Sequence, residues 1–235
     1  MVIYTKELFL FGSEILEQFV SSINEILARL IVLFTAITVH EYAHGFVAYK
    51  LGDPTAKYAG RLSFNPISHI DPIGALCMVL CGFGWAKPVP INPMYFKDRK
   101  RDSALVALAG PLSNIILAFI SAVLAALFFA FVYLKFEGNV VTDFVLTLFI
   151  QLAQLNIGFA VFNLIPFPPL DGSKIVGAFL SNSSYYKFMQ YEHFGFPILI
   201  LMSITGLLGK VLYIFIEPLW HLWFSFFERL VELFV

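Results

Sequence analysis

Residues 29–50 of the chain read RLIVLFTAITVHEYAHGFVAYK, and this stretch decides how the rest of the sequence is interpreted. A basic residue at each end brackets twenty residues, which as a helix would be about 30 Å long and would match the hydrocarbon core of a bilayer. The same stretch carries His40, Glu41 and His44. Either it does not span a membrane, or it holds three ionisable groups at membrane depth, where such groups indicate function by default.

The composition of the whole chain favours a membrane protein. Of its 235 residues, 59% are hydrophobic and 13% are charged, and the mean hydropathy is +0.82. Soluble domains average about 25% charged residues, so an ordinary soluble protein with this composition could not cover its surface, and the lipid bilayer is the expected partner. The net charge of −1 provides no basic field, so no nucleic-acid partner is expected.

Charge-free runs and clusters of Gly and Pro divide the chain. The predicted fold class is an all-α polytopic membrane protein, a bundle of about four to six transmembrane helices with a re-entrant β-hairpin-like segment. That segment is rich in Gly and Pro, which exclude a continuous helix. The predicted parts are an amphipathic interfacial helix over 1–25; a catalytic transmembrane core over 26–182, with spans at about 26–48, 104–134 and 144–165 and the re-entrant segment at 60–94; and a part over 183–235 with a span at 194–216 and an aromatic interfacial helix.

The distribution of basic residues predicts the orientation. They gather between the first two spans, at Lys50, Lys57, Arg61 and residues 97–101. By the positive-inside rule this side faces the cytoplasm. The first and third spans then both run inward, so the histidine motif and the residues after the third span arrive at one depth. The expected location is a prokaryotic cell (inner) membrane, with the active site toward the cytoplasmic side.

The segment His40-Glu41-Tyr42-Ala43-His44 has the pattern H-E-x-x-H. Histidines at positions i and i+4 of a helix lie on one side, so both imidazoles can reach one cation. Glu41 lies about 100° round the helix, where its carboxylate can accept a proton from a water molecule that zinc acidifies. A purely structural interpretation would need three ionisable groups in lipid without a purpose.

A catalytic zinc ion usually has three protein ligands, so a third ligand must come from elsewhere in the chain. Asp171 directly follows a predicted span, in the sequence NLIPFPPLDG of residues 163–172, whose prolines unwind the chain and can let the carboxylate turn into the bundle. From the residues alone, an aspartate that caps the start of a helix is an equal alternative. The other histidines, His69, His193 and His221, lie in a loop or near predicted interfaces.

Four segments together resemble the site-2 protease family of intramembrane metalloproteases, in its compact bacterial and archaeal form. They are residues 40–44, 60–66, 110–114 and 163–172, and their order and spacing match over residues 35–180. The resemblance implies that Asp171 joins His40 and His44 around one Zn²⁺ per chain. It also implies that Asn163 helps to bind the substrate or the oxyanion, the alternative being a hydrogen bond to a neighbouring helix.

Four further residues receive structural interpretations. Asn114 is expected to tie helices together, and Gly110 to permit their close approach. Cys77 and Cys81 are too few for a disulfide framework and are interpreted as packed apolar thiols, with a metal or redox pair as the alternative.

The predicted function is that of a zinc-dependent endopeptidase, with Glu41 as general base, that cleaves transmembrane or membrane-proximal segments of membrane proteins. Its expected partner is a substrate helix, which must unwind locally before its carbonyls are accessible. A membrane transporter or metal-handling protein that uses the same ligands is the alternative. That alternative leaves unexplained why a glutamate lies between the two histidines.

Overall fold

A computed structural model describes residues 2–74, 85–136 and 139–235, with side chains from residue 24 onward. The described part is helical. Its α-helices, in chain order, are α1 (Val2–Lys50), α2 (Thr55–Tyr58), α3 (Arg99–Phe131), α4 (Val140–Leu164), α5 (Asp171–Gly177), α6 (Asn182–Met189), α7 (Glu192–Ile204) and α8 (Leu207–Glu232). Single 3₁₀ turns occur at Pro66–His69, Pro93–Tyr95 and Tyr133–Lys135.

Four helical stretches in the described residues are long and apolar enough to cross a membrane. They belong to α1, α3, α4 and α8 and cover Asn24–Lys50, Arg99–Lys135, Val140–Leu164 and Leu207–Glu232. The helical bundle of the predicted fold class is therefore present. Asn114 lies beside His40 of α1, whereas Val106 lies beside His44, so α1 and α3 are antiparallel.

Local sequence explains where the long helices begin and end. At the end of α1, the Asp53 amide donates to Ala48 O at 2.9 Å and the Gly52 amide to Tyr49 O at 3.2 Å. Gly52 has φ +104, and the three features together form a Schellman motif, which glycine favours. At the start of α3, the Asp98 side chain accepts from the amides of residues 100 and 101.

Small residues line the contacts between the long helices. Alanines at 118, 122 and 153 are at most 3% exposed and pack in one cluster with Trp223 of α8. Small side chains let helix backbones approach closely in a membrane, where helix association depends on van der Waals packing. Because Phe119 stacks on Phe226 and Phe131 contacts Phe234, α3 and α8 run in parallel.

Two parts differ from the predicted organisation. Residues 1–25 are not a separate helix, because α1 runs without a break from Val2 to Lys50. The predicted span at 194–216 is divided at Gly206, whose φ of +70 separates α7 from α8. Pro218 lies inside α8. A proline is tolerated there because neighbouring helices and local adjustments satisfy the freed backbone groups of membrane helices.

The described residues within 60–94 contain no strands of the re-entrant β-hairpin that was predicted there. Within the described residues its two arms share one isolated antiparallel bridge, between Ile70 and Ala86. The Lys87 amide donates to His69 O at 3.0 Å beside it. Residues 75–84, which include Cys77 and Cys81, lie outside the described residues.

Candidate metal centre

Three side chains that are far apart in sequence converge in the interior of the bundle. His40 and His44 lie one turn apart on α1, and Asp171 is the first residue of α5. Asp171 Oδ2 lies 3.2 Å from His40 Nε2 and 3.1 Å from His44 Nε2, and the two Nε2 atoms are 3.0 Å apart. The three atoms form a nearly equilateral triangle, and this group could hold a metal ion.

The triangle fits a tetrahedral zinc site. Ligand atoms at 2.0–2.1 Å from a tetrahedral ion lie about 3.3 Å from one another. The observed separations of 3.0–3.2 Å approach that value. An ion beside the triangle would keep one coordination position that no side chain of the triangle fills, as catalytic zinc requires.

Each imidazole is held through its other nitrogen. His40 Nδ1 donates to Asn114 Oδ1 at 2.6 Å, and His44 Nδ1 donates to the carbonyl oxygen of Val106 at 2.7 Å. In neutral imidazoles this leaves both Nε2 lone pairs free for a cation. Such bonds fix the tautomer and orientation of metal-binding histidines. The expectation that Asn114 ties helices together is confirmed, because Asn114 of α3 also donates to Ala36 O of α1 at 3.3 Å.

All three side chains are buried, with exposed fractions of 8% for His40, 7% for His44 and 9% for Asp171. Burial tends to raise the pKa of the Asp171 carboxyl, but hydrogen bonds from His40 and His44, when these rings are protonated on both nitrogens, outweigh it and hold that pKa well below its ordinary value. Asp171 therefore remains ionised, which is the form that binds a cation.

Two glycines make the convergence possible. A Cβ atom on Gly110 would lie 2.5 Å from His44 Nε2 and 2.6 Å from His40 Cε1. A Cβ atom on Gly172 would lie 2.3 Å from Leu164 O. Gly110 therefore permits the close approach of α3 to the imidazoles, as expected from the sequence, and Gly172 lets α5 begin directly against the end of α4.

The Glu41 carboxylate lies in the same cavity as the three side chains. Its Oε2 accepts a hydrogen bond from the Val89 amide at 2.8 Å, so the backbone of the segment predicted to be re-entrant orients it. The cavity has a volume of about 660 Å³ and reaches from the triangle to Trp85, Asn163 and Lys174. It is large enough for several residues of an extended peptide beside the metal site.

Comparisons with known proteins agree with this geometry. The model of peptidase family M50 matches residues 129–204, a range that contains Asp171. The provisionally named zinc metalloprotease YwhC of Bacillus subtilis is 40% identical over 185 residues, which are 78% of this chain and 83% of that protein. The chain belongs to peptidase family M50. The resemblance to site-2 proteases is thereby confirmed.

More distant relatives carry similar names. The provisionally named zinc metalloprotease Rip2 of Mycolicibacterium smegmatis is 26% identical over 74% of this chain and 66% of its own length. Zinc metalloprotease MJ0392 of Methanocaldococcus jannaschii is 26% identical over 76% of this chain and 42% of its own length. No solved structure matches the chain significantly. The family and the apolar helices describe an integral, multi-pass membrane metalloprotease, and these names imply zinc.

Asn163, which the sequence also singled out, lies near the end of α4 and lines the cavity of this M50 protein. Its Nδ2 donates to Phe159 O of the same helix at 3.0 Å. That bond differs from the predicted alternative, a bond to a neighbouring helix. It leaves the catalytic assignment of Asn163 as a prediction.

The remaining histidines lie outside the metal-binding group of the described residues. His69 is fully buried and its Nε2 pairs with Ser63 O at 2.8 Å, while His221 pairs with Glu217 of the same helix at 3.4 Å. Sequence reasoning missed Asn156, a fully buried asparagine that contacts Asn114. Its signal was an amide side chain inside an apolar span, which is unusual at membrane depth.

Proposed function

We propose that this M50 protein is an intramembrane zinc endopeptidase, which hydrolyses peptide bonds within or next to the transmembrane segments of other membrane proteins. The supporting observation is the triangle of His40, His44 and Asp171, whose two histidines lie on a helix long and apolar enough to span the bilayer. Glu41, between the two histidines, lines the same cavity. A site for metal transport has no need of a general base in that position.

Each residue of the site has a separate role in the proposed hydrolysis. Zinc, when bound by His40, His44 and Asp171, supplies a Lewis acid that polarises the scissile carbonyl and acidifies a water molecule. Glu41 takes a proton from that water through the carboxylate that the Val89 amide orients, and later donates it to the leaving amine. Asn163 lines the cavity and is proposed to donate from its amide to the negative oxygen that develops.

The substrate must arrive as an extended chain. In a helix each carbonyl is engaged with the amide four residues later and offers no access to a nucleophile. The cavity lies beside the non-helical backbone of residues 85–91. We propose that a locally unwound membrane segment lies against this backbone, which can offer strand-like hydrogen bonds.

The substitution Glu41→Gln tests the proposal. Glutamine keeps the side-chain shape and an oxygen for the Val89 amide, but it cannot act as the proton acceptor. We expect one zinc ion per chain in both proteins and a fall in cleavage rate of about 100- to 10,000-fold in the variant. The measurement compares the membrane proteomes of host cells that express either protein and identifies new peptide termini inside membrane spans.

Two outcomes separate this proposal from its alternative. New termini within membrane spans that occur with the wild type and not with Glu41→Gln support the protease. Equal termini in both, with zinc bound equally, would contradict it. A carrier would instead move zinc into proteoliposomes, and it would do so equally well in both proteins.

A further inference from the structure

A hydrogen-bond path through two buried amide side chains leads from the metal centre into α4. Asn114 and Asn156 are both 0% exposed. Asn114 Oδ1 lies 2.6 Å from His40 Nδ1, and Asn114 Nδ2 lies 2.6 Å from Asn156 Oδ1. Asn156 Nδ2 lies 2.7 Å from the carbonyl oxygen of Leu152. This hydrogen-bond path therefore connects an imidazole on α1 to a backbone carbonyl on α4 through two side chains.

The two imidazoles of the centre depend on different kinds of partner. His44 Nδ1 faces the Val106 carbonyl oxygen, which can only accept a hydrogen bond, so Nδ1 must carry the proton. His40 Nδ1 faces the amide of Asn114, which can present either an accepting oxygen or a donating NH₂ group. Asn114 by itself therefore leaves two tautomers open to His40.

The contact of Asn156 with Leu152, at the α4 end of the hydrogen-bond path, leaves only one of the two His40 tautomers. The Leu152 carbonyl oxygen only accepts, so Asn156 must direct its NH₂ group toward Leu152 and its oxygen toward Asn114. Asn114 must then direct its NH₂ group toward Asn156 and its oxygen toward His40. The reverse arrangement would place the Asn156 oxygen against the Leu152 oxygen, two acceptors with no proton between them. The Ala36 carbonyl, 3.3 Å from Asn114 Nδ2, favours the same direction.

We propose that Asn156 is a positioning residue that sets the tautomer of His40 through Asn114 and so keeps His40 Nε2 unprotonated for zinc. The proposal rests on the zinc site of the proposed function. Asn156 acts at a distance, because its amide bonds Asn114 and its own helix. Partners of this outer kind typically change metal affinity by about 10- to 100-fold when they are removed.

Four variants of the full chain in detergent or nanodiscs test the proposal. Asn156→Leu removes the acceptor for Asn114, and should leucine prevent folding, Asn156→Ala removes it without added bulk. Asn156→Asp keeps the shape and an oxygen that accepts from Asn114 in either protonation state. Ser121→Ala is the matched control, because Ser121 is also fully buried and its hydroxyl donates to Leu117 O of its own helix.

Two measurements are made on each protein. Competition with a chelator gives the Zn²⁺ dissociation constant, and nitrogen NMR of ¹⁵N-histidine in the metal-free protein reports which nitrogen of His40 carries the proton. His40→Gln identifies the His40 signals. We expect Asn156→Leu or Asn156→Ala to populate the second tautomer and to raise the dissociation constant at least about tenfold. Asn156→Asp and Ser121→Ala should keep the wild-type tautomer and stay within about twofold of wild-type affinity.

The proposal is overturned if removing the acceptor changes neither the tautomer nor the zinc affinity, or if Ser121→Ala weakens zinc to the same degree. Equal weakening by Asn156→Asp and Asn156→Leu would also contradict it, since an accepting oxygen would then not be what matters. A wild-type protein that binds no zinc would refute the proposed function. In that case the tautomer of His40 in the metal-free protein still tests the role of Asn156.

Discussion

At the scale of single residues, the metal centre depends on two anchored histidines and on the lack of a side chain at Gly110. His40 and His44 are each anchored through Nδ1, so neither ring can turn away from an added atom. Gly110 faces both rings at distances that exclude a side chain. The site therefore requires glycine at position 110 as well as its three ligands.

The substitution Gly110→Ala tests this requirement. Its Cβ would lie 2.5 Å from both Cε1 and Nε2 of His44, so we expect the imidazoles to be displaced and zinc affinity to fall by more than about tenfold. The measurement is zinc affinity by chelator competition. Gly158→Ala in α4 is the matched control, since its nearest neighbour would be Ile216 Cδ1 at 3.9 Å. A variant Gly110→Ala that binds zinc as tightly as Gly158→Ala would contradict the interpretation.

At the scale of elements, the chain delivers the third side chain by stopping a helix rather than by extending one. α4 ends at Leu164, and the proline-rich link of residues 165–170 leads to α5, whose first residue is Asp171. Gly172 lets this short helix begin within contact of Leu164 O. The carboxylate consequently points into the bundle from the end of a span, a position that a continuous helix would not provide.

The fourth span, α8, packs against α3 through a hydrogen bond from a tryptophan side chain. The Trp223 indole N–H of α8 donates to the Ala118 carbonyl of α3 at 3.2 Å, and Trp223 is 7% exposed. This bond joins two helices that are distant in the sequence. In a membrane a bond of this kind contributes about 0.6 kcal/mol on average.

The substitution Trp223→Phe should therefore lower the free energy of unfolding by about 0.5–1.5 kcal/mol, because it removes the donor and part of the buried ring. Unfolding of the detergent-solubilised protein measures the change. Trp220→Phe is the control, because Trp220 stacks on Trp223 without a described hydrogen bond from its indole nitrogen. Equal effects of the two substitutions would show that the bond to Ala118 does not hold α8 in place.

At the scale of the whole molecule, the metal centre lies at the basic end of the bundle. α1 ends at Lys50, α3 begins at Arg99, and α4 ends close to Asp171, so the ends that carry the site lie together. Basic residues favour the cytoplasmic side of a membrane. We propose that the site opens toward the cytoplasm and that α3 crosses from there to the opposite face.

Labelling with a membrane-impermeant maleimide tests this orientation in intact cells. In a Cys77→Ser, Cys81→Ser background, Lys135→Cys at the far end of α3 should react in intact cells. Lys97→Cys, just before α3, should react only after the membrane is permeabilised. The reverse pattern would place the active site on the outer side. Glu41→Gln in the same background serves as the control that catalysis does not affect labelling.

Features that are encoded within a few neighbouring residues can be predicted from the amino-acid sequence. The spacing of His40 and His44 places both imidazoles on one helix face, and the apolar runs define the first three spans. The residues alone leave two interpretations of Asp171 open, because an aspartate after a proline-rich segment can also cap a helix. The resemblance to a known family, and not local spacing, selected Asp171.

Features that require contact between distant parts of the chain are seen only in the three-dimensional structure. It placed Asp171 at 3.1–3.2 Å from the two imidazoles, connected Asn114 to Asn156, and divided the predicted span 194–216 at Gly206. Helix periodicity fixes which side chains share a face, but it contains no information about which faces of separate helices come together. Packing between helices and the path of the connecting segments supply that information, and they complete the metal centre.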